Sequence, residues 1–399
     1  MSVWLIEPLD PLIARDGLPA AAVGKFSTVG FPYPSTTAGA ARTRMGSEGG
    51  AFVVQREALG ELKNVEVRGP LLAELAENGD VLQWLAPAPR DAVFLRPEGE
   101  DRPNLHRLIP RPLEEGEATD ALPEGGLLPL FVLGEAPTGK PPGGIPSFWR
   151  WEELEGWLLA PKDRTGVDFG ALGIRKLPVE TRTHLALQPG ERVGIDGMFF
   201  QTAGLRFLYP TQTGENEERY DLSPRRLALS VWSPGGRVAG RDLALAEQIA
   251  PLGGERRLAR WSKASRGWPE LPEEVRESIA RTARARLILL TPAVFATGAL
   301  PGWNEGLAPW SGARIRITVR AASVPRPEIV SGWDLEKGRP KKTKRLAAAG
   351  SVYFLELDGG GQDDLLRWCE ETWLACVSDD AQDRRDGFGL AVLGTWEES

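Results

Sequence analysis

The order of apolar segments in the second half of the chain restricts its fold more than any other sequence feature. Segments that alternate apolar and polar residues, as strands do, are interleaved with segments that repeat apolar residues at helical spacing. The order strand, helix, strand, strand, helix, strand is typical of the ferredoxin-like, or RRM-like, βαββαβ fold. The predicted elements are the strands Leu227–Trp232, Leu287–Thr291, Arg314–Val319, Ser351–Leu357 and Phe388–Trp396 and the helices Glu273–Arg286 and Asp363–Val377, which is one strand more than that order contains.

The first half opens with a predicted buried strand, Ser2–Leu9, followed by a turn-rich loop and a predicted helix. This helix runs from Pro34 to about Met45, and Gly46 ends it. Ser35 and Thr36 follow the proline, and a hydroxyl at this position is expected to cap the first main-chain N–H groups. The chain therefore begins with strand, long loop and helix.

The middle of the chain is less regular and contains the predicted domain boundary. Residues 86–147 are rich in proline and glycine, so we expect irregular structure and short strands there. Phe148–Leu159 is a predicted helix, and Leu177–Leu187 with Gly197–Tyr209 forms a predicted long hairpin. The chain turns polar between Tyr209 and Arg225, which predicts an N-terminal domain of residues 1–215 and a C-terminal domain of residues 216–399.

Composition restricts the partners of the chain. Of its 399 residues 42% are hydrophobic and 26% charged, which suffices for a folded core, and its formal net charge is −7. Proteins that bind nucleic acid on their own usually carry a surplus of cations, because phosphate neutralisation supplies much of the affinity. An RNA partner therefore requires that the basic residues be concentrated on one face.

Several protein classes are disfavoured. The two cysteines, Cys369 and Cys376, stand seven apart in a predicted helix, which is too far for a disulfide and fits a reducing cytoplasm. The first residues lack the basic region of a signal peptide, and no apolar run approaches the ~20 residues of a membrane span. The sequence also lacks a metal-ligand cluster, a P-loop and a nucleophile elbow, so we expect no metal, cofactor or small-molecule substrate.

The strongest local concentration of charge is the segment Lys337–Arg345, in which six of nine residues are cationic. Its glycine and proline predict a loop that could follow a phosphate backbone. This segment is the basic loop, and its candidate RNA-binding residues are Lys341, Lys342, Lys344 and Arg345. The alternative is a solvated hairpin tip without a ligand.

A second candidate is the glycine-rich turn, residues 383–390, in which Gly387 and Gly389 flank Phe388. Glycines allow a backbone to approach phosphates closely, and an exposed phenylalanine can stack on a base. Arg384 and Arg385 precede the glycines and add positive charge. The alternative is an ordinary tight turn, since the pattern does not extend to a dinucleotide-binding motif.

Two further groups carry weaker signals. The helix start at Ser35 and Thr36 is a candidate anion site with Arg42 and Arg44 on the same helix, although capping and surface charge would explain it equally. His184, in the segment Glu180-Thr181-Arg182-Thr183-His184, is one of two histidines in the chain. A lone histidine in a strand is more often a structural hydrogen-bonding group than a catalyst.

Taken in order, eight segments between residues 5 and 396 resemble one family, the third subunit of the Cmr complex. This complex is the type III-B CRISPR RNA-guided effector, and the family belongs to the RAMP superfamily. The segments are Leu5-Ile6-Glu7-Pro8-Leu9-Asp10, Arg15-Asp16-Gly17, Pro32-Tyr33-Pro34-Ser35-Thr36-Thr37-Ala38-Gly39-Ala40-Ala41-Arg42-Thr43, Glu180-Thr181-Arg182-Thr183-His184, Gly197-Met198-Phe199-Phe200, Ser331-Gly332-Trp333-Asp334, Ala349-Gly350-Ser351-Val352-Tyr353-Phe354 and Gly387-Phe388-Gly389-Leu390-Ala391.

The resemblance implies an α+β chain of two tandem ferredoxin-like domains with long loop and hairpin insertions. It implies a non-catalytic subunit that binds the repeat-derived 5′ tag of the CRISPR RNA, beside the large polymerase-like subunit and the first backbone subunit, in antiviral defence. It directs the first helix and the glycine-rich turn towards RNA, and Arg15, Arg182 and His184 join the candidate RNA-binding residues. The net acidity then fits a subunit that mostly contacts protein.

Two alternatives remain open. Some RAMP proteins cut CRISPR precursor RNA without a metal, which requires a base near the 2′-hydroxyl and an acid near the leaving oxygen. His184 is the candidate here, but the sequence shows no second partner for it. The other alternative is a scaffold that contacts no RNA, for which charge reversal in the basic loop or at Arg384 and Arg385 would leave guide-RNA retention unchanged.

Overall fold

The computed structural model describes residues 2–15, 25–26, 28–117, 126–132, 139–190, 193–209, 225–334 and 338–396. Helices and strands both contribute, so the predicted α+β class is confirmed. Contacts group the chain into two compact units. Unit 1 comprises Met1–Gln83, Lys176–Gly267 and Ile329–Lys344, and unit 2 comprises Trp84–Arg175, Trp268–Glu328 and Arg345–Ser399. The predicted boundary stretch, residues 210–224, lies outside the described residues, as do Asp16, Gly17 and Lys337.

Unit 1 is built on antiparallel strands. In spatial order these are Arg68–Leu75, Arg225–Trp232, Val3–Pro8, Leu258–Lys263 and Gln248–Pro251. The predicted opening strand is confirmed, and its Ile6 is fully buried. The predicted strand Leu227–Trp232 is present as Arg225–Trp232. It belongs to unit 1, where it pairs with the first strand of the chain, Trp4 opposite Val231. Its residues are buried on both faces, and such a strand carries no sequence signal for its partner.

The first helix is Pro34–Met45, and Gly46 ends it as predicted. Its start differs from the prediction, because the residue before the helix is Tyr33 and no side-chain hydroxyl caps the first N–H groups. Pro34 takes the first position, where its missing N–H costs nothing. The N–H of Thr36 donates to the carbonyl of Tyr33 at 2.9 Å. Main-chain geometry therefore replaces the expected hydroxyl cap.

The predicted hairpin in unit 1 is confirmed. Its strands, Val179–Leu187 and Gly194–Leu205, pair antiparallel with Leu185 opposite Phe199. The smaller strands of unit 1 are Lys25–Phe26, Ser47–Glu48, Ala51–Phe52, Leu208–Tyr209, Gly236–Val238, Arg241–Leu243, Trp333–Asp334 and Arg339–Pro340, and its short helical segments are Arg56–Ala58, Leu59–Asn64 and Gly254–Arg256.

Unit 2 contains a second antiparallel sheet. In spatial order its strands are Gly306–Leu307, Arg316–Ser323, Val352–Asp358, Arg284–Leu289 and Ala391–Gly394. The helices Glu273–Thr282 and Gln362–Thr372 contact each other and the strands of this sheet. The first of these helices ends earlier than predicted, because Ala283 adopts a left-handed conformation with φ of 52°.

The proline- and glycine-rich part of the chain, residues 86–147, also belongs to unit 2. The predicted helix at residues 148–159 begins late, at Trp151–Leu159, because Phe148–Arg150 is a strand that pairs with Val81–Pro87. Trp149 of that strand is fully buried. The remaining strands and short helices described in and around this unit are Ala92–Leu95, Asn104–Pro110, Leu130–Val132, Gly173–Ile174, Ala293–Val294, Glu328–Val330, Lys344–Ala347, Phe169–Leu172 and Ala381–Arg385.

The two cysteines are both buried and free. Cys369 lies in Gln362–Thr372, whereas Cys376 lies beyond that helix and forms an isolated bridge with Leu390. Within the described ranges, no helix is long and apolar enough to cross a membrane.

Candidate nucleic-acid interface

The first helix holds four of the predicted RNA-binding residues. Ser35 and Thr36 are half-buried, and the N–H of Thr36 is already bound within the chain. Arg42 is 8% exposed, and its Nε and Nη2 donate to the carbonyl of Val65 at 2.9 and 2.8 Å. This arginine therefore fastens the helix to a neighbouring segment, a role that a surface-charge reading of the sequence missed.

Arg44, the penultimate residue of the helix, is half-buried. Burial lowers the pKa of its guanidinium below the ordinary value. Among the described residues, its Nε has no hydrogen-bond partner.

Arg182 and His184 share one face of the hairpin. Arg182 Nε donates to Glu180 Oε1 at 2.6 Å, so the charge of this arginine is largely compensated. His184 Nε2 lies 2.8 Å from the hydroxyl of Thr202, and its ring stacks on Phe200 with centroids 4.8 Å apart. These neighbours are a hydroxyl and an apolar ring, which is the environment of a structural histidine.

The glycine-rich turn is integrated into the core of unit 2. Gly387 and Gly389 have φ of 89° and 82°, the left-handed region that glycine tolerates. Their N–H groups donate to Arg384 O at 3.1 Å and Pro292 O at 2.8 Å, so neither is free for a phosphate in this conformation. Phe388 is 3% exposed, and the predicted stacking of this ring on a base is wrong because the ring belongs to the core.

The arginines of this turn are likewise engaged within the protein. Arg384 is half-buried, and its Nη1 donates to the carbonyls of Ser378 and Asp379 at 2.7 and 2.6 Å. Arg385 is half-buried too. A guanidinium that caps main-chain carbonyls still carries its charge but offers fewer donors to a ligand.

The basic loop differs from these groups because most of its described cations are exposed. The strands Trp333–Asp334 and Arg339–Pro340 pair, so the first part of this segment belongs to a hairpin, whereas Lys341–Thr343 is the loop that the sequence predicts. The main chain of Lys341 is fixed by its N–H to Gly332 O at 2.7 Å and by its carbonyl, which accepts from Ser331 Oγ at 3.0 Å. Arg339, Lys341, Lys342 and Arg345 are exposed, and Lys344 is half-buried.

Within the described part of the chain, the side chains of Arg339, Lys341, Lys342 and Arg345 form no ion pair or hydrogen bond. Their charge is therefore uncompensated by the neighbouring described residues, unlike that of Arg182. Arg15 is exposed and stands apart in the loop after the first strand. The predicted residues thus fall into separate groups on different elements, and RNA contact by each of them stays a prediction.

A buried polar network in unit 2 has no counterpart among the predicted sites. Arg286, 2% exposed, forms an ion pair with Asp91, 1% exposed. Arg286 Nε donates to Thr395 O at 2.6 Å, and Asp91 Oδ1 accepts from Trp157 Nε1 at 2.9 Å. In its strand, Arg286 directly precedes the apolar residues Leu287, Ile288 and Leu289, and a charge beside this apolar run is the sequence signal of the network.

The described residues include no cluster of three or more histidine, cysteine, aspartate or glutamate side chains that could hold a metal ion.

A comparison with protein-family models matches residues 4–396 to the CRISPR-associated protein family Cas_Cmr3. The chain belongs to this family. The family resemblance inferred from the sequence is therefore confirmed. A comparison with curated proteins finds no match.

Two solved structures are similar over most of the chain. One is titled as type III-B Cmr-beta bound to cognate target RNA and AMPPnP, with a TM-score of 0.44 and 12% identity over 88% of this chain and 86% of that one. The other is titled as type III-B Cmr-beta bound to cognate target RNA, with a TM-score of 0.43 and 13% identity over the same shares.

Proposed function

We propose that this chain is a non-catalytic subunit of a type III-B CRISPR effector ribonucleoprotein. In this role it binds the repeat-derived 5′ tag of the guide RNA and joins the large polymerase-like subunit to a backbone subunit in the cytoplasm. The observation that carries the proposal is the family match, which runs through both units and leaves out three residues at each end.

We infer further that each sheet is the core of a ferredoxin-like domain. In both sheets, four antiparallel strands lie in the spatial order fourth, first, third, second. In unit 1 these strands are Leu258–Lys263, Val3–Pro8, Arg225–Trp232 and Arg68–Leu75, and in unit 2 Ala391–Gly394, Arg284–Leu289, Val352–Asp358 and Arg316–Ser323. Unit 1 keeps a helix between its first and second strands, Pro34–Met45, and unit 2 keeps one between its third and fourth, Gln362–Thr372.

The basic loop is the part of the chain best suited to the RNA backbone. Its described cations other than Lys344 are exposed, whereas Arg42 is buried and Arg182 is paired with a carboxylate. With the main chain held at Lys341, the long side chains of the exposed lysines can contact a phosphate chain without reading its bases. A protein with a net negative charge can bind RNA in this way, because only the cations near the RNA need to neutralise its phosphates.

Charge reversal in the reconstituted complex tests this contact. The double variant Lys341→Glu/Lys342→Glu should retain guide RNA less well. Each lost single-strand phosphate contact should also make the slope of log affinity against log salt shallower by about 0.7. Lys140→Glu/Lys176→Glu, at two exposed lysines elsewhere, is the matched control and should keep the original slope. An unchanged slope in the basic-loop variant would favour the scaffold alternative.

The proposal that the subunit itself does not cut RNA is supported by the surroundings of His184, where Thr202 and Phe200 occupy one ring nitrogen and one ring face. Incubation of wild type and His184→Ala with CRISPR precursor RNA should show no difference in cleavage. Cutting by wild type that disappears in the variant would establish the endoribonuclease alternative instead.

A further inference from the structure

A cavity of about 350 Å³ opens on unit 2 and includes none of the residues considered for RNA contact. Its walls are mainly apolar and come from four segments that are distant in sequence. The wall residues are Leu108, Ile109, Leu159, Phe354 and Trp396. A concave apolar surface of this size accepts a small molecule or one or two side chains of a protein partner.

The floor of the cavity is polar, but its charged groups already have hydrogen-bond partners within the protein. Asp91 and Arg286 form the buried ion pair, and Arg286 also donates to Thr395 O and to Trp157 O. Asp91 accepts a second bond from Trp157 Nε1. These groups satisfy one another, so they do not require a polar occupant to replace lost hydrogen bonds.

The rim of the cavity carries an excess of positive charge. Arg107, Lys162 and Asp163 line it. The carboxylate of Asp163 accepts the Arg107 N–H at 2.9 Å and lies 3.1 Å from His106 Nδ1. Lys162 is exposed, and its ammonium forms no ion pair with any residue that the structure describes. An occupant with a carboxylate beside its apolar part would therefore complement this rim.

We propose that this cavity is a docking site for a partner protein subunit, which inserts a large apolar side chain next to an acidic residue that pairs with Lys162. This inference rests on the proposed function, because it requires that the chain belong to a multi-subunit complex. Interfaces of this kind depend on a few anchor side chains in apolar pockets with polar rims.

A nucleobase fits the cavity less well than an apolar side chain. Base stacking needs an open aromatic face. Phe354 and Trp396 are 1% and 8% exposed, and they pack edge to face with centroids 5.5 Å apart. The guanidinium of Arg284 lies over the Trp396 ring, 5.3 Å from its centroid. The rings therefore offer edges and small apolar patches, which suit an aliphatic or aromatic anchor.

Filling the cavity from its edge tests the proposal. Ala160 lines the cavity and is exposed, so Ala160→Trp should occupy the site without disturbing the core. Glu152→Trp, at an exposed position of the helix Trp151–Leu159 outside the lining, is the matched control. Lys162→Glu tests the rim, with Lys140→Glu as its control.

The first readout is hydrogen exchange of residues 104–110 and 157–163, measured before and after assembly. The second is the affinity of the chain for the other protein subunits of the complex, measured after nuclease has removed the RNA. We expect protection of both segments on assembly, affinity about thirty-fold weaker for Ala160→Trp, and weaker binding for Lys162→Glu, with both controls unchanged. Assembly without protection would overturn the inference alone, as would protection that appears only with guide RNA. Failure of the wild-type chain to assemble would overturn the proposed function as well.

Discussion

The buried ion pair of Arg286 and Asp91 gives the most quantitative prediction. Arg286→Met removes the guanidinium that binds Asp91, Thr395 O and Trp157 O. Among the described residues, the Asp91 carboxylate then keeps one donor, the indole N–H of Trp157. A carboxylate that is 1% exposed recovers little of its lost interaction from water.

The size of the effect follows from the asymmetry between breaking and replacing a buried pair. Removal of one partner leaves an uncompensated charge and costs about 3–5 kcal/mol of unfolding free energy. Asp91→Leu should cost a similar amount, because it leaves the guanidinium without its counter-charge. The double variant Arg286→Met/Asp91→Leu removes both charges, so we expect it to be more stable than either single variant, although Thr395 O and Trp157 O lose a donor.

Urea unfolding of the four proteins, followed by tryptophan fluorescence, measures the coupling through a double-mutant cycle. Hydrogen exchange of the main-chain amides in the strand Arg284–Leu289 tests whether the loss of stability lies in unit 2. A cost below about 1 kcal/mol for each single variant, or a double variant whose loss equals the sum of the two, would refute the reasoning.

Three further predictions concern Gly389, Arg42 and Cys369. Gly389→Ala should lower stability by more than about 1 kcal/mol in urea melts, because φ is +82° and a Cβ would lie 2.9 Å from the Ser378 nitrogen. Arg42→Met should cost unit 1 about 1.5–3 kcal/mol by loss of the Val65 bonds, with an unchanged salt slope of RNA binding. Burial raises the pKa of the Cys369 thiol from 9.0 to about 12, so the folded state holds its proton more tightly than the unfolded state. The contribution of this thiol to the free energy of unfolding is therefore complete below pH 9 and falls as the pH rises towards 12. At pH 8, Cys369 should resist alkylation in the folded protein and react with the same reagent in urea.

Sequence patterns predicted the elements that depend on local signals. The strand Val3–Pro8, the helix Pro34–Met45 with Gly46 at its end, and the hairpin strands Val179–Leu187 and Gly194–Leu205 all occur where expected. Each is specified by its own periodicity and end residues. The partners of Arg225–Trp232 could not be predicted, because a strand buried on both faces can pair with any open edge and the choice depends on the whole fold.

The candidate site shows the same limit at the level of side chains. Arg42 and Phe388 stand in segments that read as surface, yet tertiary packing buries both. Their burial follows from neighbours distant in sequence, such as Val65 for Arg42. The basic loop was predictable because six cations in nine residues cannot be desolvated together, and its described cations other than Lys344 are exposed.

Crosslinking of the guide RNA inside the assembled complex tests the central claim most directly. A photoreactive group at the 5′ end of the guide should crosslink to peptides of this chain, with the basic-loop peptide that contains Lys341 and Lys342 among them. Loss of that peptide in Lys341→Glu/Lys342→Glu would support phosphate contact by the loop. Crosslinks confined to other subunits, with this chain present in the complex, would contradict the account.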